Sequence, residues 1–460
     1  MNIIIVGAGE VGRSIAMTLS AEGHNVNLVE QDPEKAKRVD DELDVRVICG
    51  NGARPQVLWE AGIRGEECAV DILVACTNRD EANILSCWIA RNAGVKHVIA
   101  RARGLEFTDS PNWGQKLGID MMLSPERSVA KEIMELISVS SAIRTAELLD
   151  GRAAIYAFQV AEDSPLAGKS LKTIRSDHKN LAAIVVCVDR ADGDSLIPDG
   201  DTVILPQDIC YVISRKRDVG ILEDLFRRKK RSKLRKVFLV GGGKIAYQLV
   251  QKIQRESERV EIRLFDHDLQ RVEALSAELG NKRTIVVAAD GADRDKLLEE
   301  GIEGAVYVCV TDSDEVNLIY AALAKSFGAR KTIAVVRRKL YQDMTKHMPV
   351  DAIVDPNEAL SSTILRTIRY PGHARALSIL ESENIDAEML EVVLENSAMA
   401  DKTLAELGLP KGVLVALLGR EGSVSVPDGA TKLQMGDHLI LFALSELMRE
   451  AAEMFGVAAQ

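Results

Sequence analysis

Short runs of apolar residues alternate along the first hundred positions with longer stretches in which apolar residues recur every three or four positions. Continuous apolar runs are typical of strands buried on both faces, and the longer stretches are typical of amphipathic helices. The strand-like runs are residues 3–6, 26–30, 44–49, 71–76 and 97–101. Because strands that alternate with helices form βαβ units, the pattern predicts an α/β fold with a doubly wound parallel sheet.

A glycine-rich turn joins the first strand-like run to the first helical stretch. It reads Gly7-Ala8-Gly9-Glu10-Val11-Gly12. A Gly-x-Gly-x-x-Gly turn between a strand and a helix is typical of dinucleotide-binding sites. Gly7 allows the tight turn, Gly9 allows a pyrophosphate to approach the backbone, and Gly12 allows the helix to pack close to the strand. The N–H groups at the start of the helix then face the phosphates.

Polar side chains follow the next strands. Glu30 ends the second run, 18 positions after Gly12, where a carboxylate is placed to hold the ribose hydroxyls of an adenosine. Asn51 and Thr77 follow the third and fourth runs, and Arg101 ends the fifth. Ligands of parallel sheets bind at this carboxyl edge, so the sequence predicts a nucleotide pocket there. The alternative, in which the glycines serve only the turn and Glu30 is a solvated strand end, stays open.

The second half of the chain repeats this order, with an offset of 234 positions both at the glycine turns and at the segments 77–83 and 311–317. Its turn reads Gly241-Gly242-Gly243-Lys244-Ile245-Ala246. Ala246 replaces the third glycine, a replacement that this kind of turn tolerates. Asp266 takes the place of the strand-end acid, while Asp290 and Thr311 stand where Asn51 and Thr77 stood. An offset shared by so many positions indicates a duplicated unit.

A segment rich in short β-like runs follows each α/β segment, and its motifs also recur: residues 164–171 return at 397–404, and Pro-Asp-Gly at 198–200 returns at 427–429. The sequence therefore predicts two tandem repeats, each a Rossmann-like domain with a doubly wound parallel sheet followed by a small α+β domain. The predicted bounds are 1–124 and 236–356 for the Rossmann-like domains, 150–226 and 381–460 for the small domains, 125–149 and 357–380 for connector helices, and 227–235 for a basic linker.

Composition narrows the class of protein. The chain has 460 residues and a net charge of −11, which argues against general nucleic-acid binding. Its seven cysteines include no C-x-x-C pair, so we expect reduced core cysteines of a cytosolic protein. No signal peptide or run long enough to cross a bilayer is visible, which predicts a soluble protein. Eight of the ten residues at 227–236 are basic, typical of a solvated linker or of a patch facing anionic lipid or an acidic partner.

Catalytic signatures are missing from the sequence. None of the seven histidines lies in a recognisable catalytic segment, and there is no Gly-x-Ser-x-Gly elbow or zinc-binding histidine pair. The acidic residues at 80–81 and 312–315 precede helical stretches, where carboxylates suit the helix dipole. We expect these acids to cap helices, with a divalent cation as the minority alternative, and we expect no enzyme and no metal site.

The tandem order resembles the TrkA family of RCK proteins, and the likeness covers nearly the whole chain. It rests on the glycine turn, on Thr-x-x-Asp-Glu-x-Asn at 77–83 and 311–317, and on the recurring segments of the small domains. The resemblance implies a regulatory ring, expected to be a homo-tetramer, on the inner face of the cell inner membrane. It would gate a potassium transporter of TrkH or TrkG type in response to NAD or NADH, and to ATP or ADP.

The resemblance also implies which residues hold the nucleotide. They are Gly7, Ala8, Gly9, Glu10, Val11, Gly12, Glu30, Asn51, Thr77 and Arg101 in the first half, and Gly241, Gly243, Lys244, Ala246, Asp266, Asp290 and Thr311 in the second. Val335 stands where the first half has Arg101, which puts equal affinity of the two sites in doubt. Two alternatives stay open: a soluble NAD(P)-dependent oxidoreductase, and a scaffold whose pockets bind nothing.

Overall fold

The computed structural model describes the chain except for residues 65–68, 105–106, 108–112, 140, 179, 227–233, 346, 370–373, 382–385, 411 and 457–460. Most of the predicted basic linker and Cys68 therefore lie outside the described residues. The chain divides into two compact units. The first contains residues 1–129 and 355–369, and the second contains residues 130–354 and 370–459.

A six-stranded parallel sheet forms the centre of the first unit, with the strand order β3-β2-β1-β4-β5-β6. Its strands are β1 (Asn2–Val6), β2 (Asn25–Glu30), β3 (Arg46–Cys49), β4 (Ile72–Ala75), β5 (His97–Arg101) and β6 (Met121–Leu123). The described helices between them are α1 (Glu10–Ala21), α2 (Pro33–Glu42), α3 (Pro55–Glu60), α4 (Asp80–Asn92) and α5 (Trp113–Lys116).

This arrangement confirms the predicted Rossmann-like fold. The order of the strands reverses between β1 and β4, which creates the crevice where ligands of such sheets bind. The four residues of β4 are all buried, and so are residues 3–6 of β1, because helices cover both faces of the sheet. The sequence pattern predicted five strands and missed β6, whose three residues are too few to give a periodic signal.

A helix, α6 (Pro125–Ser138), leads to an antiparallel sheet in the order β10-β9-β11-β8-β7. Its strands are β7 (Ala142–Leu148), β8 (Ala153–Gln159), β9 (Ala183–Asp189), β10 (Ser195–Leu196) and β11 (Ile209–Arg215), accompanied by α7 (Leu171–Asp177) and α8 (Val219–Phe226). The prediction of a helix through residue 149 was wrong beyond Ser138. Residues 142–148 pair with β8 instead as an edge strand, and the hydrogen bonds of this pairing replace those of a helix.

The second half repeats the parallel sheet in the order β14-β13-β12-β15-β16-β17. Its strands are β12 (Lys236–Val240), β13 (Glu261–Asp266), β14 (Thr284–Ala288), β15 (Val306–Cys309), β16 (Lys331–Val335) and β17 (Ala352–Val354). The helices are α9 (Lys244–Glu256), α10 (Leu269–Leu279), α11 (Arg294–Glu299), α12 (Asp314–Ser326) and α13 (Lys339–Thr345).

The last part of the chain forms α14 (Pro356–Arg369) and a second antiparallel sheet in the order β18-β19-β22-β20-β21. Its strands are β18 (Ala374–Glu381), β19 (Asp386–Val393), β20 (Val413–Arg420), β21 (Ser423–Ser425) and β22 (His438–Leu444), with helices α15 (Leu404–Leu407) and α16 (Ser445–Met454). The predicted connector helix over 357–380 ends at Arg369, because residues 374–381 pair with β19. The domain bounds as a whole stay a prediction.

Helix α14 packs in the core of the first unit, although it belongs to the second repeat. Leu360, Ile364 and Ile368 are buried in one cluster with Ile15 and Leu19 of α1. The two antiparallel sheets of the second unit likewise share a core, in which residues of β8 and β11 lie with residues of β20 and β22. The repeats are therefore interleaved rather than folded as two separate halves.

Two further findings concern membrane-spanning helices and cysteines in the described part of the chain. No helix there combines the length and the apolar character that crossing a bilayer requires. Of the six described cysteines, five are buried and Cys49 is exposed, and all six are free thiols. Burial raises the pKa of the Cys76 thiol to about 12, so it stays protonated at neutral pH.

Candidate nucleotide-binding sites

A cavity of about 240 Å³ lies at the carboxyl ends of strands β1 to β5 in the first unit. This is the edge of the sheet at which the sequence predicts a ligand. The predicted residues that line it are Gly7, Gly9, Glu30, Asn51, Thr77 and Arg101. Six residues from five separate strand ends therefore converge, as one binding site requires.

The glycine turn shapes one wall of this cavity. Gly7 has φ +107°, a conformation that glycine adopts without strain. A Cβ on Gly12 would lie 1.9 Å from the carbonyl oxygen of Gly7, so this position tolerates no side chain. A Cβ on Gly9 would have no atom within 4 Å, because Gly9 faces the open cavity. Gly9 also N-caps α1 without a side-chain hydrogen bond, which leaves this helix end shaped for an anion.

The Glu30 carboxylate is held in place by backbone groups on both sides. The N–H of Ala8 donates to Oε2 at 2.8 Å, and the N–H of Asp32 donates to Oε1 at 2.9 Å. Each carboxylate oxygen has a second lone pair, so Glu30 keeps acceptor capacity toward the cavity. Ribose hydroxyls are donors of the kind that this geometry accepts.

Asn83, a fully buried residue of α4, ties the ends of β4 and β5 together. Its Oδ1 accepts from the N–H and the hydroxyl of Thr77, at 2.9 and 2.6 Å. Its Nδ2 donates to the carbonyl oxygens of Thr77 and Arg101, at 3.1 and 2.9 Å. Asn83 is not among the predicted site residues, although its recurrence as Asn317 in the repeated Thr-x-x-Asp-Glu-x-Asn segment is a sequence signal for it.

Arg101 supplies a cation to the cavity. Its Nε atom is buried and has no hydrogen-bond partner among the described residues. Burial lowers the pKa of the guanidinium, and the nearby Glu126 carboxylate opposes this shift. Because an arginine starts from so high a pKa, Arg101 stays charged at neutral pH. A half-buried guanidinium with an unpaired donor suits a phosphate, which accepts charge-assisted hydrogen bonds.

The other predicted residues of the first half do not line the cavity. Val11 is buried in the core, Gly12 packs against Gly7, and the Ala8 N–H orients Glu30. The exposed Glu10 accepts a hydrogen bond from Asn357 at the start of α14. The lining residues that the sequence analysis did not assign are Val6, Val29, Gln31, Lys35, Gly50, Gly52, Ala53, Cys76, Asn78, Arg79 and Ala82.

The second parallel sheet carries a matching turn. Gly241 has φ +98°, and a Cβ on Gly243 would have no atom within 4 Å. Ala246 is fully buried where Gly12 stands in the first half, so its methyl group is accommodated by the second turn. Lys244 is exposed at the first position of α9. The geometry of the turn is therefore preserved in both halves.

The strand-end acid of the second half is more fully engaged than Glu30. Asp266 is 4% exposed and accepts from the N–H groups of Gly242 at 2.7 Å and Asp268 at 2.9 Å. The Arg271 guanidinium donates to its Oδ2 at 3.2 Å. Burial by itself would raise the pKa of Asp266, but these hydrogen bonds and the charge of Arg271 outweigh burial and lower it. Asp266 is thus a buried anion with its own cation.

The remaining predicted positions of the second half lie on the same edge. Asp290 accepts from the N–H of Ala292 at 2.9 Å, and Asn317 holds Thr311 as Asn83 holds Thr77. Val335, in the place of Arg101, is fully buried. Among the described residues, no group of three or more histidine, cysteine, aspartate or glutamate side chains is placed to hold a metal ion.

Family models match almost the whole chain. The model of the TrkA-N domain matches residues 3–125 and 237–356, and the model of the TrkA-C domain matches residues 155–227 and 389–456. The fold, the two glycine turns and these matches define a protein built from two tandem RCK units. They account for the duplication that the sequence indicates.

Individual proteins agree with this class. A "Trk system potassium uptake protein TrkA homolog 2" from Methanosarcina mazei is 32% identical, with 99% of this chain and 100% of that protein covered. A TrkA homolog from Archaeoglobus fulgidus is also 32% identical, with 99% and 100% covered. A TrkA protein from Vibrio alginolyticus is 28% identical, with 97% and 96% covered. The chain belongs to the TrkA family, whose members act in potassium transport.

Solved structures support the fold. The GsuK channel bound to NAD is 19% identical, with a TM-score of 0.60 over 99% of this chain and 78% of that one. The GsuK RCK domain is 18% identical, with a TM-score of 0.60 over 99% of this chain and 94% of that one. At this level of identity the likeness concerns the fold.

Proposed function

We propose that this chain is a cytosolic nucleotide-binding regulatory subunit that gates a membrane potassium uptake transporter. The full-length relatives are named for potassium uptake by Trk systems, which supports this role over that of an enzyme. The partner is a transporter subunit of TrkH or TrkG type. The chain acts as a homo-oligomer, a tetrameric ring, peripheral on the inner face of the cell inner membrane.

The proposed nucleotide binding rests on the first cavity. It combines an open Gly9, a carboxylate fixed by two N–H groups, and a half-buried guanidinium with an unpaired donor. These three features suit a pyrophosphate, a ribose and a phosphate in turn. NAD or NADH is the first choice, since the GsuK channel of the same fold is bound to NAD. ATP and ADP share the adenosine and the phosphates and are the second choice.

The nucleotide acts through linkage. It shifts the subunit between two arrangements only by the difference in its affinity for them, and the transporter senses the shift. Helices α1, α4 and α6 each begin at the carboxyl edge of the sheet, directly after β1, β4 and β6. No bond in the nucleotide is made or broken in this mechanism.

The test compares two substitutions in the full-length protein. Gly9→Val places a side chain in the first cavity, and Gly243→Val does the same at the second turn. Both glycines have extended backbone angles that valine adopts, and a Cβ meets no atom, so we expect both variants to fold. We expect calorimetric titration with NADH to lose one site in Gly9→Val, and potassium flux through the reconstituted transporter to lose its response to NADH.

Two results would contradict the proposal. One is NADH binding by Gly9→Val with the affinity and stoichiometry of the wild-type chain. The other is steady consumption of NADH with an added metabolite, which would favour the oxidoreductase alternative. If the wild-type chain binds NADH but potassium flux does not respond to NADH, the regulatory step is refuted instead.

A further inference from the structure

Arg103 joins the end of β5 to the start of α6. Its Nε donates to Oε1 of Glu126 at 2.6 Å, and Glu126 is only 7% exposed. The backbone N–H groups of Arg103 and Gly104 both donate to Oδ2 of Asp80, at 2.8 and 2.7 Å. Arg103 is thus anchored on Asp80 by its backbone while its guanidinium contacts the connector helix.

The other oxygen of Asp80 is buried and has no hydrogen-bond partner among the described residues. A buried carboxylate oxygen without a donor is costly, because desolvation is not compensated. It lies on the carboxylate that already holds the Arg103 backbone. A donor that reaches it would therefore gain a charge-assisted hydrogen bond in a dry environment.

In the second half, Arg337 stands in the place of Arg103, and its guanidinium takes a different partner. Asp314 accepts from the N–H groups of Arg337 and Arg338 at 3.0 and 2.9 Å, as Asp80 accepts in the first half. The Arg337 guanidinium turns back onto Oδ1 of Asp314 at 3.2 Å and onto the carbonyl of Thr311 at 3.3 Å. The residue in the place of Glu126 is Asn357, the second residue of α14.

A charge difference accounts for the two placements. Arg101 is close to Arg103, and the repulsion between the two positive charges destabilises the charged form of each guanidinium. In the second half Val335 replaces Arg101, and the guanidinium of the neighbouring Arg338 pairs with Glu315, so no cation in the place of Arg101 opposes Arg337 at Asp314. Neutralising Arg101 in the first half would therefore remove the force that keeps Arg103 away from Asp80.

We propose that Arg103 is the positioning residue through which an anionic phosphate in the first cavity acts on the connector helix α6. A phosphate bound to Arg101 neutralises its charge, just as Val335 leaves no charge at this position in the second half. The Arg103 guanidinium then leaves Glu126 for the free oxygen of Asp80 and the carbonyl of Thr77. The start of α6 is then released from the end of β5. This inference rests on the proposed nucleotide binding.

The experiment is a double-mutant cycle on NADH affinity in the Gly243→Val background, where only the first site is read. Glu126→Gln removes the charge that competes for Arg103, so by linkage we expect NADH to bind about fivefold more tightly. In Arg103→Gln, the additional Glu126→Gln substitution should give no gain. Arg337→Gln is the matched control in the second half and should leave the first site unchanged.

The outcomes separate the explanations. A gain from Glu126→Gln that persists in Arg103→Gln would indicate a direct effect of Glu126 on Arg101 and would overturn the inference, as would no gain at all. Hydrogen exchange gives a second readout: NADH should speed exchange at the start of α6 in the Gly243→Val protein but not when Arg103→Gln is added. Absence of NADH binding by the wild-type chain would refute the proposed function and this inference together.

Discussion

The Arg271 guanidinium donates to Asp266 at 3.2 Å, so the strand-end acid of the second half already has a cation beside it. Glu30, its counterpart, accepts from two backbone N–H groups, whereas Asp266 accepts from two such groups and from Arg271. An acid with three donors has less acceptor capacity for ribose hydroxyls. The two halves therefore present unequal sites although they descend from one pattern.

We expect the second site to bind NADH about tenfold more weakly than the first, the equivalent of about one hydrogen bond. Titration of Gly9→Val reads the second site, and titration of Gly243→Val reads the first. Adding Arg271→Gln to Gly9→Val should recover part of the difference, because Asp266 regains a lone pair. Equal affinities in the two single variants would contradict this account.

Asn83→Ala should weaken the first site without touching the second. The buried amide makes four hydrogen bonds that fix Thr77 and the carbonyl of Arg101. Their loss should cost about 2 to 3 kcal/mol of unfolding free energy and about tenfold in NADH affinity. Urea unfolding and calorimetry measure the two effects. Asn317→Ala is the matched variant, and it should weaken NADH binding at the second site and leave the first site unchanged.

Lys331→Met should destabilise the second unit. The Lys331 side chain is 1% exposed, and its ammonium group donates to the carbonyls of Leu136, Val139 and Ala142 at 2.6 to 3.0 Å. A cation at the end of a helix satisfies carbonyls that have no partner within the helix. Methionine fills the same space but donates nothing, so we expect a loss of about 3 kcal/mol in urea unfolding.

The control for this prediction is Lys296→Met on α11, where the ammonium group contacts the exposed Glu299. It changes the same side chain at the surface and should leave the unfolding midpoint unchanged. A Lys331→Met protein as stable as the wild type would contradict the stabilising role of the ammonium group at the end of α6.

Glu135 should make stability depend on pH. It lines a cavity of about 260 Å³ in the second unit, where burial and the neighbouring Glu147 raise the pKa of Glu135 to about 8, although Lys131, Lys216 and Lys252 act in the opposite direction. The folded state keeps a proton that the unfolded state releases near its ordinary pKa. Its stabilising effect is therefore present below about pH 4.5 and is lost as pH rises toward 8.

Glu135→Gln should remove this dependence and raise the unfolding free energy at pH 8 by about 2 to 4 kcal/mol relative to the wild type. Urea unfolding at intervals between pH 5 and pH 9 measures it. Glu256→Gln removes an exposed carboxylate from the lining of the same cavity and should retain the wild-type slope. A wild-type curve without a decline over this range would contradict the assignment.

Local patterns carried most of the correct predictions. The apolar runs placed the central strands of both parallel sheets, and the glycine turns, strand-end acids and shared offset gave the duplication. These features are readable because a buried strand and a tight turn each depend on residues that are adjacent in the chain. The three-residue β6 and the strand at 142–148 were missed, since short or half-buried strands leave little periodic signal.

The sequence by itself determined the two glycine turns, the acids that follow them and the family to which the chain belongs. Only the tertiary structure decided that Asp266 has Arg271 beside it, that Arg103 and Arg337 take different partners, and that α14 packs on the first sheet. An apolar stripe on a helix requires burial but does not say against which surface. Likewise, a charged side chain reaches several partners, and the neighbouring charges in space select one of them.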